Sequence, residues 1–228
     1  MTASTTLRDV IGLPDELPRL SGSTLLMIDF QNTYRSGVMR LDDAERALAA
    51  GARLLAAARA AGTPVVHVVN DGGEGTPYDI RAEIGSISDE VAPVEGEKVV
   101  VKQVPDAFHG TDLDEVLRDL GAGGGDLVIA GFMTHMCVLF TAQGAFNLGY
   151  RPAVVAEATA TRSLRAPDDT VLTSDALQAA SLTTVRDLFG TVARTVDDLT
   201  TPAPAPVPTS ASASTSAPVP APAPASAD

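Results

Sequence analysis

Short apolar runs alternate with longer stretches in which apolar residues recur at helical spacing. Runs this short and continuously apolar are typical of strands buried on both faces of a parallel sheet. The five runs span residues 25–28, 64–69, 99–101, 127–130 and 153–155. A sixth, shorter strand is predicted near Val192. The pattern therefore favours a sheet whose strands are separated by helical segments.

The intervening segments carry helix signals. Helices are predicted over residues 41–61, 111–120 and 168–189, and a further helix follows the fourth strand to about residue 149. A capped start is predicted for the second of them from Thr111 and Asp114. Four apolar residues also recur at helical spacing: Ile80, Ile84, Ile87 and Val91. The predicted fold class is α/β, a three-layer α/β/α arrangement around a central, mostly parallel six-stranded sheet.

The chain divides into three parts by composition. Residues 1–20 form an irregular, proline-containing lead-in, and residues 21–200 form the α/β domain. Residues 201–228 contain almost only Pro, Ala, Ser, Thr and Val. Such a segment cannot bury enough apolar area to offset the entropy of ordering, so a disordered tail is predicted.

Composition excludes some partners. The net charge is −13 and Trp is absent, so neither phosphate-backbone binding nor base stacking on Trp is supported, and no nucleic-acid partner is expected. No apolar run is long enough for a membrane span, and no signal-peptide pattern begins the chain. Cys137 is the only cysteine, which fits a reducing compartment. A cytoplasmic location is predicted.

Three reactive side chains follow the apolar cores of three different strands. Asp29 follows the first, Lys102 the third, and Cys137 comes shortly after the fourth. Because the carboxyl ends of parallel strands meet at one edge of a sheet, we expect these side chains to lie together. A charged residue at the end of one strand is common, so the combination is the informative signal.

These residue types suit nucleophilic catalysis. A thiolate is a strong nucleophile, Asp29 could take its proton as general base, and Lys102 could hold both groups in place. Backbone N–H groups of residues 132–137 could bind the oxyanion of an attacked carbonyl. Because Cys137 stands where a helix is predicted to begin, its pKa is expected to be lowered.

Three other interpretations remain open at this point. A free cysteine often behaves as a small buried apolar residue. Cys137 could instead be a redox-sensing thiol in a non-catalytic module, with Asp29 and Lys102 forming an ordinary ion pair. The chain could also be a structural oligomer subunit that packs through its alanine-rich helices.

The residues around this set resemble the isochorismatase-like cysteine hydrolases. That superfamily includes nicotinamidases, N-carbamoylsarcosine and ureidoacrylate amidohydrolases, and a lactam-opening streptothricin hydrolase. The resemblance covers roughly residues 20–198. Its matching stretches are residues 26–32, 101–102, 107–108, 131–138, 149–150 and 158–161, with Thr141.

The resemblance implies a sheet order of 3-2-1-4-5-6 and a catalytic triad of Asp29, Lys102 and Cys137. It also implies a cis peptide bond before Met133, an oxyanion hole formed by the N–H groups of Met133 and Cys137, and a homo-oligomer. The implied reaction is cleavage of a C–N bond in a small amide, ureido compound or lactam, including a streptothricin-type lactam, through a thioester acyl-enzyme.

Two departures narrow the subclass. Metal-dependent nicotinamidases carry histidines after the second strand, whereas residues 69–78 contain none here. No metal and no cofactor are therefore expected. The cysteine at the nucleophile position argues against the thiol-free branch that cleaves a vinyl ether.

Other polar and aromatic residues are weaker candidates. Those expected to line a substrate pocket at the same edge are Asn32, Tyr34, Tyr78, Phe108, His109 and His135. A Cys–His dyad is not expected, because His135 and Cys137 are two positions apart and point to different sides of a helix. His67 is predicted to be a core residue. A solvated acidic face is predicted for Glu83, Glu90, Glu95 and Glu97.

Overall fold

Six parallel strands form the central sheet of the computed structural model, which describes residues 3–200. In spatial order these strands are β3 (Lys98–Lys102), β2 (Val65–Asn70), β1 (Ser23–Ile28), β4 (Asp126–Phe132), β5 (Arg151–Ala160) and β8 (Thr191–Ala193). The predicted fold class and strand order are confirmed. The sixth strand of the sheet is the eighth along the chain, because a hairpin of β6 (Leu164–Arg165) and β7 (Val171–Leu172) precedes it.

Two apolar clusters cover the two faces of the sheet. Along β1, Leu25 and Met27 belong to one cluster, whereas Leu26 and Ile28 belong to the other. This alternation follows from the two-residue period of a strand and places a buried layer on each side. The helices are α1 (Leu7–Ile11), α2 (Ala44–Ala60), α3 (Leu113–Asp119), α4 (Leu139–Asn147), α5 (Ser174–Thr184) and α6 (Asp197–Thr200).

The two faces are built from different helices. Residues of α2 and α6 contribute to the first cluster, and residues of α3 and α4 contribute to the second. A close approach brings α2 onto the segment that leaves β1, since a Cβ added at Gly51 would lie 2.6 Å from the ring of Phe30. Only glycine fits at that position without displacing the aromatic ring.

The helical spacing of Ile80, Ile84, Ile87 and Val91 does not correspond to an α-helix. This segment contains only the short 3₁₀ turns Glu83–Gly85 and Asp89–Val91. Its backbone bonds elsewhere: Ser88 N donates to Phe30 O at 2.8 Å, and Ser86 O accepts from Asn32 N at 3.0 Å. Backbone hydrogen bonds to the residues that follow β1 therefore take the place of the hydrogen bonds of a helix.

Other boundaries shift for local reasons. The lead-in contains α1, which Thr6 caps by accepting a hydrogen bond from Asp9 N. The predicted helix over 168–189 begins only at Ser174, after the β6–β7 hairpin, and Thr173 caps it. At α3, Thr111 Oγ1 accepts from Leu113 N, and Asp112 is the residue that precedes the helix.

The predicted tail over residues 201–228 lies outside the described residues. Within residues 3–200, no helix is long and apolar enough to cross a membrane.

Candidate active site

The carboxyl edge of the sheet brings the three predicted reactive side chains together. Asp29 directly follows β1, Lys102 is the last residue of β3, and Cys137 follows β4. Since β2 lies between β1 and β3, the side chain of Lys102 must extend past the end of β2. Asn70, which pairs in register with Lys102, marks that crossing, and its Oδ1 accepts from Lys102 Nζ at 3.4 Å.

Lys102 contacts both other members of the set. Its Nζ lies 2.8 Å from Asp29 Oδ2 and donates to Cys137 Sγ at 3.2 Å. The side chains of Asp29 and Lys102 are both 0 % exposed, and Cys137 is 7 % exposed. A buried ion pair thus stands directly beside a nearly buried thiol.

Burial and mutual charge decide the protonation of this set. Burial raises the pKa of Asp29, although the neighbouring Lys102 ammonium acts in the opposite direction. Burial would lower the pKa of Lys102, but the charges of Asp29 and Cys137 outweigh it and the pKa is raised. The ammonium therefore stays charged and stabilises a negative charge on either neighbour.

The predicted lowering of the pKa of Cys137 is wrong. Burial, reinforced by the charge of Asp29, raises the pKa of Cys137 to about 12, and Lys102 only partly counteracts this. The residue also lies within a π-helical turn, Thr134–Val138, that precedes α4 and is not the N-terminus of that α-helix. The resting thiol is therefore protonated.

Backbone geometry sets the approach of β1 and β4 at this edge. Asp29 has a left-handed conformation with φ of 50°, and Gly131 has φ of 134°. A Cβ added at Gly131 would lie 1.8 Å from Ile28 O, which no side chain could tolerate. Glycine at this position therefore lets the two strand ends come close enough for Asp29 and Cys137 to share one ammonium.

The turn after β4 also contains the expected cis peptide bond, between Phe132 and Met133. Met133 O accepts hydrogen bonds from Met136 N at 3.0 Å and from Val138 N at 3.3 Å. The role of the Met133 and Cys137 N–H groups as an oxyanion hole stays a prediction.

Among the predicted pocket residues, two tyrosines lie close to the reactive set. Tyr34 and Tyr78 form an edge-on pair with ring centroids 5.8 Å apart. Burial, with the charges of Asp29 and Cys137, raises the pKa of Tyr34 well above its usual range. Burial, together with the same two charges, also raises the pKa of Tyr78.

His135 belongs to the same π-helical turn as Cys137. Its Nδ1 is 2.6 Å from Thr161 Oγ1, and its pKa is lowered by burial and by the charge of Arg162. Sequence reasoning did not single out Arg162 or Asn70. Asn70 had a usable signal, because it ends β2 at the same edge as Lys102.

The other predicted pocket residues have different surroundings. Asn32 Nδ2 donates to Glu83 O and Ser86 Oγ, and its Oδ1 accepts from Ser88 Oγ, so it ties a loop together. Phe108 stacks on Tyr150 with centroids 5.8 Å apart, and His109 is exposed.

The predicted acidic face holds for only part of its residues. Glu97 is half-buried and pairs with Arg59 Nε and His67 Nε2, each at 2.8 Å. Although burial opposes it, these partners and Val94 N lower the pKa of Glu97 to about 2. His67 is buried in β2, as predicted. Within residues 3–200, no three His, Cys, Asp or Glu side chains form a group that could hold a metal ion.

The isochorismatase domain model matches residues 23–196, more than half of the chain. The chain belongs to the isochorismatase family. The fold agrees with a crystal structure of an isochorismatase from Pseudomonas putida, which is 36 % identical with a TM-score of 0.80 and covers 84 % of this chain and 97 % of its own. Members of this family are hydrolases, including amidohydrolases.

The names of similar proteins point to different substrates and different cellular locations. The secreted isochorismatase effector Isc1 of Verticillium dahliae is 32 % identical over 83 % of this chain and 97 % of its own. The ureidoacrylate amidohydrolase RutB of Variovorax paradoxus is 31 % identical over 78 % and 80 %. Streptothricin hydrolase of Streptomyces noursei is 36 % identical over 62 % of this chain and 56 % of its own length. The cytoplasmic location and the homo-oligomer stay predictions.

Proposed function

We propose that this protein is a cysteine hydrolase that cleaves the C–N bond of a small amide, ureido compound or lactam. One observation carries the proposal: Lys102 Nζ lies 2.8 Å from Asp29 Oδ2 and 3.2 Å from Cys137 Sγ, in a buried cluster at the carboxyl edge of the sheet. The likeness to a ureidoacrylate amidohydrolase and a streptothricin hydrolase supports the substrate class.

In the proposed reaction, Cys137 Sγ attacks the substrate carbonyl carbon while its proton passes to the Asp29 carboxylate. A bond between sulfur and carbon forms, and the carbonyl oxygen takes the negative charge. The C–N bond then breaks, the nitrogen leaves with the proton from Asp29, and a thioester remains. Water, deprotonated by Asp29, cleaves that thioester to a carboxylic acid and the free thiol.

The directions of the pKa shifts suit this proton transfer. Burial raises the pKa of Asp29, which makes its carboxylate a stronger base than an exposed aspartate. Lys102 holds a fixed positive charge that stabilises the thiolate as it forms. A thiol with a raised pKa is activated only when a base accepts its proton, so Asp29 is required together with Cys137.

The nearby backbone and aromatic rings supply the remaining parts of the proposal. The Met133 and Cys137 N–H groups would bind the oxyanion. Tyr34, Tyr78 and His135 would contribute to the wall of the substrate site. Because Cys137 is only 7 % exposed, a small acyl group fits this site better than a bulky one.

The proposal is tested by intact-mass detection of an acyl adduct. The full chain is incubated with a panel of amides, ureido compounds and lactams, including streptothricin, and ammonia or amine release is measured in parallel. We expect at least one compound to be turned over and to leave a transient mass increase on Cys137. Cys137→Ala should abolish the adduct and turnover, and Asp29→Asn and Lys102→Ala should strongly slow both.

Full turnover by Cys137→Ala on such a compound would refute the proposal. The alternative function, a redox-sensing thiol, predicts reversible oxidation of Cys137 by peroxide together with no acyl adduct from any compound. Arg53→Gln serves as a control, because Arg53 is an exposed residue of α2 that pairs with Glu157.

A further inference from the structure

A cavity lies at the amino edge of the sheet, opposite the edge that carries Asp29, Lys102 and Cys137. Its volume is about 390 Å³, and its lining includes the first residues of β4, β5 and β8, namely Asp126, Arg151 and Thr191. Seven residues of β4 at about 3.3 Å each place this edge roughly 20 Å from Cys137. A molecule bound here could not reach the catalytic atoms.

The lead-in segment forms one side of this cavity. Leu13, Pro14 and Leu17 line it from that side, opposite Phe146 and Phe189. The two phenylalanine rings pack edge-on with centroids 5.9 Å apart. The walls are therefore largely apolar and aromatic, and the volume falls in the usual range of about 300–1,000 Å³ for small-molecule sites.

One buried cation lines the same cavity. Arg8 is only 8 % exposed. Its guanidinium donates to the carbonyl oxygens of Leu188 and Pro14. Its Nε is buried without a hydrogen-bond partner, and Arg8 forms no salt bridge within residues 3–200. A buried charge without a counter-ion carries a large desolvation cost, so an anion at this position would be stabilising.

The other charged groups around the cavity limit the ligand to one negative charge. Asp126 is already paired with Arg151 Nε at 2.7 Å. Glu16 is exposed on the cavity wall and repels anions. We propose that this cavity binds a small monocarboxylate with an apolar or aromatic body, its carboxylate on Arg8 and its body between Leu17 and the Phe146–Phe189 pair.

The test is isothermal titration of the full chain with phenylacetate, 4-phenylbutyrate and octanoate. The neutral amides of the same acids are the matched probes. We expect saturable binding of at least one acid and at least about tenfold weaker binding of its amide, because the amide cannot form the charge-assisted bond to Arg8. The readout is binding alone and does not depend on the proposed hydrolase activity.

Two variants with opposite expected effects locate the site. Arg8→Gln should weaken acid binding about tenfold or more. Glu16→Gln should strengthen acid binding, by about two- to fivefold for one exposed charge, and a loss of folding cannot imitate this. Glu95→Gln is the control. It removes an exposed glutamate that precedes β3, on the far side of the sheet from β8, and should leave the affinity for the acid unchanged.

Three results of the titrations would overturn the proposal, and a fourth comes from alkylation of Cys137. They are no saturable binding of any of the three acids, equal affinity for acid and amide, or acid binding that is unchanged in both Arg8→Gln and Glu16→Gln. Binding that disappears after alkylation of Cys137 would place the acid at the catalytic edge and would also overturn it.

Discussion

A buried cation lies at each of the two edges of the sheet, but the groups that balance its charge differ. At the carboxyl edge, Lys102 has Asp29 at 2.8 Å and Cys137 at 3.2 Å. At the amino edge, the described partners of Arg8 are neutral carbonyl oxygens. A cation whose counter-ion belongs to the same chain can keep a thiol poised for proton transfer. A cation without one points to a partner from outside the chain.

The largest expected effect comes from breaking the compensated pair. Lys102→Met leaves the Asp29 carboxylate buried without a counter-ion, which typically costs about 3–5 kcal/mol. Arg8→Met should lower the free energy of unfolding by less, about 1–3 kcal/mol. It leaves two carbonyl oxygens without their hydrogen-bond donor, but it also removes an unpaired charge. Urea unfolding of both variants measures the difference.

A matched double variant shows whether charge compensation is the cause. In Asp29→Asn together with Lys102→Met, both charges are gone, so most of the lost stability should return. If Arg8→Met proved as destabilising as Lys102→Met, or if the double variant recovered nothing, the distinction between the two edges would be wrong.

Two glycines, one at each edge of the sheet, allow the backbone at the two edges to be compared. The expected losses of stability are smaller than for the buried ion pair. Gly131→Ala at the carboxyl edge forces a Cβ to within 1.8 Å of Ile28 O, in a residue with φ of 134°. We expect a loss of about 3 kcal/mol or more in the free energy of unfolding. Gly149→Ala at the amino edge has φ of 85° but nothing within 4 Å of its Cβ, so about 1 kcal/mol is expected.

Thermal or urea unfolding of the two alanine variants makes this comparison. Equal losses at the two positions would mean that the close approach of β1 and β4 contributes little. Turnover should also fall in Gly131→Ala, because the approach of these strands positions Asp29 beside Cys137.

The smallest expected effect is a change in thiol reactivity with pH. The pKa of Cys137 is raised to about 12, so its thiolate fraction grows with pH throughout the accessible range and iodoacetamide alkylation should be slow at neutral pH. Asp29→Asn removes a negative charge that raises this pKa. The thiolate fraction at pH 9, and with it the rate of alkylation, should therefore rise.

The direction of this change tests the raised pKa of Cys137 against the lowered pKa that the sequence predicts. Intact mass gives each rate without ambiguity, because Cys137 is the only cysteine. Rapid alkylation of the parent protein at neutral pH would contradict the protonated resting thiol. Lys102→Met should change the rate in the opposite direction, since Lys102 lowers the pKa of Cys137.

Much of the scaffold was predictable from the chain, because parallel strands buried on both faces are continuously apolar. Asp29 and Lys102 stand at the ends of apolar runs, which predicts that both lie at one edge of the sheet. The segment from Ile80 to Val91 was not predictable from periodicity. Its helical spacing competed with backbone pairing to the residues after β1, and the tertiary partners prevailed.

By itself, the sequence determined the parallel sheet, its flanking helices and the three residues of the candidate site, because apolar periodicity and strand-end positions are local properties. Only the tertiary structure decided the protonation of Cys137, the reach of Lys102 past β2 and the burial of Arg8 under the lead-in. Each of these depends on desolvation and on distances between residues far apart along the chain. No local pattern in the sequence encodes such quantities.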